Sequence, residues 1–114
     1  MAFQTNSPKR GEIYLVQLGS TIGCEIRKDR PALILRNSNS PLTCIAPLTS
    51  KVHKNSPTTV FIKANEGGLN LDSLVLLEQM KSIDKQRLLK RFGNVTPQTM
   101  KRVYIAFKRT FGWK

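Results

Sequence analysis

The stretch P-A-L-I-L-R, Pro31 to Arg36, decides the fold class. It is apolar, too short for a helix, and opens on a proline, whose missing N–H does least damage to a β-ladder at a strand's first position. The turn-forming N-S-N-S-P, Asn37 to Pro41, follows it directly, and the run therefore reads as a buried strand.

Working outward, the neighbouring segments repeat this pattern. Upstream, Glu12 to Leu18 is dense in β-formers (Ile13, Tyr14, Leu15, Val16) and ends at the turn signal Gly19-Ser20. Between them, Gly19 to Asp29 carries two glycines, mixed charges and no periodicity, the composition of an exposed loop. Downstream, Thr43 to Leu48 forms a strand that closes on the hydroxyl pair Thr49-Ser50. Thr58 to Lys63 and Ser73 to Met80 contain the runs T-V-F-I and L-V-L-L, separated by a Gly67-Gly68 loop. Asp84 caps a short helical turn reaching Leu89, and Lys90 to Val95 is a last strand.

Thr96-Pro97 is a helix start, a capping hydroxyl followed by proline at the first helical position, and Gly112 ends that helix. At 100° per residue, Met100, Val103, Tyr104, Phe107 and Phe111 share one face, with Lys101, Arg102, Lys108 and Arg109 opposite. A basic amphipathic helix can also lie on a membrane surface, but the strands need an apolar cover, which directs this one to the sheet. The expected architecture is mainly β (α+β), an antiparallel sheet with a C-terminal helix. Residues 1–9 form a polar leader and residues 10–114 a single domain.

Composition narrows the function. At 114 residues the chain supports one core. No apolar run approaches the roughly 20 residues of a membrane span, and Met1 to Lys9 lacks a signal-peptide core, so a cytoplasmic protein without a membrane partner is expected. Cys24 and Cys44 have no CxxC spacing and His53 is the sole histidine, so no zinc site can be assembled. The expectation is a mechanism with no metal and no cofactor.

The net charge of +12 is unevenly placed: nothing acidic occurs from Lys85 to Lys114, which holds nine lysines and arginines. A one-signed field of this kind attracts a polyanion, nucleic acid or an acidic protein. Cutting RNA without a metal means driving a ribose 2′-OH onto the adjacent phosphate, and the familiar device is a pair of histidines. With one histidine, such chemistry falls to arginine or lysine, hydroxyls, carboxylates and backbone donors. Arg30 stands where the loop enters the buried strand, so packing can fix its stem while its planar guanidinium faces a phosphate. Thr49 and Ser50 put hydroxyl donors at a strand end, where a phosphate oxygen can be held. Each position has a plainer use, Arg30 as a surface ion pair with Glu25 or Asp29 and Thr49 as a β-former.

Five segments together carry a resemblance: R-G-E-I-Y-L-V (Arg10 to Val16), G-C-E-I-R-K-D-R-P-A-L-I-L (Gly23 to Leu35), A-P-L-T-S (Ala46 to Ser50), D-S-L-V-L-L-E-Q-M-K-S-I-D-K-Q-R-L (Asp72 to Leu88) and G-N-V-T-P-Q-T-M-K-R-V (Gly93 to Val103). In this combination the chain resembles the MazF/PemK (Kid) family of type II toxin–antitoxin mRNA interferases, from Arg10 onward. The resemblance implies an SH3-like barrel or twisted antiparallel sheet of the CcdB/PemK type with a C-terminal helix. It further implies a homodimer that cleaves single-stranded mRNA sequence-specifically, leaves a 2′,3′-cyclic phosphate, and is neutralised by an acidic cognate antitoxin. Matched motif by motif, the catalytic residues are Arg30 and Thr49, and Glu25, Glu78 and Gln79 fall where the family meets RNA. Ile26 and Lys28 depart from the family's frequent glutamine and glycine, which bears on the sequence cut.

Two other functions are compatible with a small basic domain. One is a CcdB-like, non-enzymatic toxin that poisons DNA gyrase, which has no need of a phosphate-holding arginine. The other is an RNA-binding module without catalysis, in which the A-P-L-T-S and E-Q-M motifs are accidental.

Overall fold

The Pro31–Arg36 run lies mostly in a central strand of an antiparallel sheet, but that strand spans Asp29–Ile34, so Pro31 is its third residue rather than its first and Leu35-Arg36 lie beyond its end. The structure is a computed structural model that describes residues 7–18 and 29–113. Its strands are β1 (Glu12–Gln17), β2 (Asp29–Ile34), β3 (Leu42–Thr49), β4 (Thr59–Ile62), β5 (Ser73–Leu76), β6 (Lys81–Asp84) and β7 (Leu88–Asn94), followed by the helix α1 (Pro97–Phe111). The strands run in the order β4-β5-β3-β2-β1-β7, with β6 also paired to β3. The expected mainly β fold with a terminal helix is what forms.

β3 organises the sheet because its eight residues take two partners along one edge. Its first half pairs with β6, Leu42 to Ile45 against Asp84 to Lys81, and its last two residues pair with β5, Leu48 with Val75 and Thr49 with Leu74. The chain therefore has to step from one partner to the other, and a 3-10 turn at Leu77–Gln79 makes the step around a fully buried Leu77. This corrects the single strand expected from Ser73 to Met80: it ends at Leu76, and Lys81–Asp84 is a separate strand that local propensity did not announce.

β6 and β7 are joined by one further 3-10 turn, Lys85–Arg87, whose first N–H groups are satisfied when the Asp84 carboxylate accepts from the Gln86 N–H at 2.8 Å. The path β7-β1-β2-β3-β6 thus curls back on itself as a partly open barrel, with Val16, Ala32, Ile34, Ile45 and Ile83 inside. Alternation in the pleat sends the intervening residues Leu33 and Ala46 to the other face, into a second core with Ile13, Leu48, Ile62, Val75 and Leu77. α1 covers that second core.

The helix begins and ends as its sequence requires. The Thr96 hydroxyl accepts from the Thr99 N–H, Pro97 occupies the first turn, and Gly112 closes the helix at φ 70°. Its buried stripe is Thr99, Val103 and Ala106, flanked by Met100 and Phe107. The expected face was too wide, since Tyr104 is 61% exposed and Phe111 49% exposed. Tyr104 and Phe111 lie at the margin of the Thr99–Val103–Ala106 stripe and stay largely in solvent. Tyr104 instead carries the Lys108 ammonium 5.2 Å from its ring centre. Among the described residues no helix is long and apolar enough to cross a membrane.

Candidate functional site

Arg30 and Thr49 share one cleft because of where the central ladder stops. β2 and β3 pair at Ile34–Ile45, Leu33–Ala46 and Ala32–Pro47 and no further. The next residue on β2 is Pro31, which has no N–H to continue the ladder. Arg30 still pairs with Val16 of β1, so its backbone is held on that side while the β3 side is free. Continuing the register by two residues sets Arg30 opposite Thr49, and both line a cleft of about 690 Å³ with Ser50.

The Thr49 hydroxyl is oriented by the backbone that follows it. Its Oγ accepts from the Lys51 N–H at 3.2 Å, which leaves its proton free to be donated into the cleft. Arg30 is exposed, and its guanidinium forms no ion pair with Asp29. The plainer reading of Arg30 as Asp29's partner is therefore not realised.

The far walls come from residues distant in sequence. The 3-10 turn Glu66–Gly68 sits against β7 so tightly that a Cβ on Gly93 would lie 2.9 Å from the Gly67 carbonyl carbon, and one on Gly68 would lie 2.3 Å from the Phe92 oxygen. Gly68 also sits at φ 80°, a left-handed conformation that glycine adopts without a Cβ clash. Beside this contact, Asn70 and Leu71 after the turn and Lys90, Arg91 and Phe92 of β7 line the cleft. Of the lining residues Arg30, Lys51, Lys90 and Arg91 are cationic and none is acidic, so the cleft carries a positive field.

Arg91 is set apart from the other three. Its Nε donates to the Glu12 carboxylate at 3.0 Å, its guanidinium also bonds to Asn94, and Glu12 accepts from the Lys9 N–H at 2.8 Å. Beside this pair, burial and then the Glu12 charge push the Tyr14 phenol up from its ordinary value, against the pull of Arg91.

The other residues expected to meet RNA are placed differently. Glu78 and Gln79 are exposed on the Leu77–Gln79 turn and do not line the cleft. Glu25 lies outside the described residues, as do Cys24, Ile26, Lys28 and most of the expected Gly19–Asp29 loop. His53, to which sequence assigns no role, is exposed on the turn Val52–Lys54. Lys51, Asn70, Ser73 and Lys90 line the cleft without having been picked out from sequence. The only signals for them were the Gly67-Gly68 pair and the basic C-terminal third.

A guanidinium and a free hydroxyl donor over a basic, acid-free cleft can hold a phosphodiester and stabilise charge that builds on it. The strands and this cleft define a small β-barrel protein with a basic, acid-free cleft where the β2–β3 ladder opens. The PemK-like, MazF-like toxins of type II toxin–antitoxin systems match this chain over residues 9–111. The endoribonuclease EndoA of Bacillus subtilis is 36% identical over 100 residues, covering 83% of this chain and 86% of the relative. The endoribonuclease MazF of Staphylococcus saprophyticus is 33% identical over 109 residues, 91% of each chain. Among solved structures, MazF of Deinococcus radiodurans superposes with a TM-score of 0.78 at 22% identity, over 95% of this chain and 99% of that one. An endoribonuclease from mycobacterial species, solved in complex with its cognate antitoxin, gives 0.77 at 24% identity, over 94% and 97%. The chain belongs to the PemK-like, MazF-like family and is a toxin of its endoribonuclease class.

Proposed function

We propose that this toxin is a sequence-specific, metal-independent endoribonuclease that cuts single-stranded mRNA at Arg30 and Thr49. The observation that carries the reading is their meeting in one basic cleft at the point where the β2–β3 ladder opens. In the proposed step the ribose 2′-oxygen attacks the adjacent phosphorus, the bond to the 5′-oxygen breaks, and a 2′,3′-cyclic phosphate and a 5′-hydroxyl result. One proton leaves the 2′-OH and one reaches the departing 5′-oxygen. Arg30 stabilises the charge on the phosphorane, and the Thr49 hydroxyl donates to a non-bridging oxygen, with Ser50 beside it. Glu25, Glu78 and Gln79 contribute to reading the unstacked bases.

The reading includes a cytoplasmic homodimer neutralised by an acidic antitoxin. Support comes from the relative solved with its cognate antitoxin and from the acid-free segment Lys85–Lys114, a surface suited to an acidic partner. The decisive experiment is incubation of the purified protein with a long single-stranded RNA in excess EDTA, followed by end-group analysis. Discrete fragments with cyclic-phosphate ends are expected. Intact RNA, with DNA gyrase inhibited instead, would favour the non-enzymatic toxin.

A further inference from the structure

The last turn of α1 gathers three aromatic rings at the surface of a segment that carries no acidic residue. Gly112, at φ 70°, turns the chain out of the helix, and the Trp113 N–H donates to the Lys108 carbonyl at 2.9 Å, which folds Trp113 back over the helix end. Its ring centre lies 5.6 Å from that of Phe107 and 5.8 Å from that of Phe111, and those of Phe107 and Phe111 are 5.0 Å apart. The planes are inclined at 38° to 60°, an arrangement that leaves Trp113 62% exposed and Phe111 about half-exposed.

An apolar contact after a helix-ending glycine accounts for Trp113 touching the helix. It does not account for so much ring surface in water, or for the cations beside it. Tyr104, also exposed, carries the Lys108 ammonium 5.2 Å from its ring centre, and Lys101 lines the groove beneath α1 with Tyr104 and Phe107. Neither lysine has an ion-pair partner among the described residues. Cations and rings thus alternate along the helix toward Trp113. A helix lying on a membrane would turn its apolar stripe outward, whereas Thr99, Val103 and Ala106 are committed to the core. An acidic chain without flat groups answers only the charge. Single-stranded nucleic acid answers both features, since its bases stack on aromatic rings and its phosphates meet the cations.

We propose that the C-terminal end of α1 is a second binding site for single-stranded RNA, separate from the cleft, where Trp113 and Phe111 stack unpaired bases and Lys101 and Lys108 hold phosphates. Every base has a π-face, so the site accepts any unpaired base. It stands at the opposite end of the helix from Thr99, whose hydroxyl is bonded to the turn that walls the cleft. Phe111 is about 18 Å further along the axis at the helical rise per residue. RNA held there adds affinity without altering the reacting groups. The inference rests on the nuclease reading only in taking RNA as the ligand.

Trp113 is the only tryptophan of the chain, so its emission reports on this site alone. The test titrates the protein with a 2′-O-methylated single-stranded RNA, which has no 2′-OH to attack, with an abasic strand of the same length, and with phosphatidylglycerol vesicles. The RNA is expected to quench the emission, less so as NaCl rises, and the abasic strand to leave it unchanged. Trp113→Leu and Phe111→Leu keep an apolar group against Phe107. Each, folded by circular dichroism, should weaken binding of labelled RNA roughly 5- to 150-fold, the range of one base–aromatic stack, and raise KM at unchanged kcat. The proposal is overturned by unchanged emission while the same RNA binds by anisotropy, by equal quenching with the abasic strand, or by wild-type affinity in both variants. Quenching by vesicles and not by RNA, or an emission that follows protein concentration alone and so marks a second copy over the rings, also overturns it. A protein that is quenched by RNA but cuts none overturns the nuclease reading and leaves this site standing.

Discussion

The Thr99 hydroxyl donates a 2.6 Å hydrogen bond to the Glu66 carboxylate, tying the first turn of α1 to the turn that walls the cleft. The same carboxylate oxygen accepts from the Thr96 N–H at 3.1 Å and the Thr96 hydroxyl at 3.4 Å, and Arg102 reaches Thr99 from the next turn. Glu66 thus serves as a second N-cap supplied from outside the helix, and its charge complements the positive end of the helix dipole. Burial raises the Glu66 pKa, but the donors from Thr99 and Thr96 and the Arg102 charge outweigh it, and the carboxyl titrates below its ordinary value.

Glu66→Gln is expected to lose about 1 kcal/mol of stability at neutral pH, the scale of a lost cap. That corresponds to roughly 4 °C in Tm for a domain of this size. Because Glu66 titrates lower when folded than when unfolded, its contribution is complete above about pH 4.3 and disappears as pH falls through the folded value. The wild-type Tm should therefore approach that of Glu66→Gln as the pH is lowered. Differential scanning calorimetry across that range checks this, and a constant gap at all pH values would contradict it.

Gly93→Ala tests the contact that brings β7 to the cleft. The added Cβ meets backbone atoms of Gly67 at 2.9 and 3.0 Å and of Gly68 at 3.2 Å, none of which can swing aside. A loss of about 2 kcal/mol or more is expected, the cost of overpacking against backbone. Gly112→Ala provides the contrast, since nothing lies within 4 Å and only the φ of 70° resists substitution, a cost of about 1 kcal/mol. Urea unfolding of the two variants should rank them in that order.

These two contacts also show why the chain was only partly legible. The core of β2, the Asp84 cap and both ends of α1 rest on local chemistry, such as the apolar run Ala32–Ile34 or Thr96-Pro97 before a helix, and local chemistry is written in adjacent residues, although β2 begins at Asp29 and not at Pro31. The break at Leu77 is not local, because it follows from β3 taking two partners, and L-V-L-L-E-Q-M has the same strand propensity either way. The candidate site divides along the same line. Arg30, Thr49 and Ser50 sit at the ends of strands whose pairing can be anticipated, whereas Lys90 and Asn70 line the cleft beside the Gly67–Gly93 approach, a contact between segments distant in sequence. Glu78 and Gln79, picked out by resemblance, lie beyond its lining.

Thr49→Val removes the hydroxyl while keeping the shape and β-propensity of the side chain. A hydrogen bond to a charged group is worth about 1.5–3 kcal/mol, so kcat should fall roughly 10- to 100-fold if the bond is made in the transition state. Thr49→Ser should recover most of the activity, because a serine Oγ can also accept from the Lys51 N–H. Arg30→Ala should lose about 10²–10³ in kcat, as for other preorganised donors. Full activity in folded Thr49→Val protein would remove Thr49 from the reaction.

The identity of the nucleophile can be examined without altering the protein. If the ribose 2′-oxygen attacks the phosphorus, a single deoxyribose on the 5′ side of the scissile phosphate removes the attacking group and nothing else. The phosphate itself, and so its contacts with the cleft, is unchanged, and affinity measured by anisotropy should stay within a few-fold of the all-ribose strand. Cleavage at that position should stop, while sites elsewhere on the same strand continue to be cut. Such an RNA should act as a competitive inhibitor with a Ki close to the KM of its cleavable counterpart. Continued cutting at the deoxy position would require water as the nucleophile, with a 5′- or 3′-phosphate rather than a cyclic phosphate at the new end.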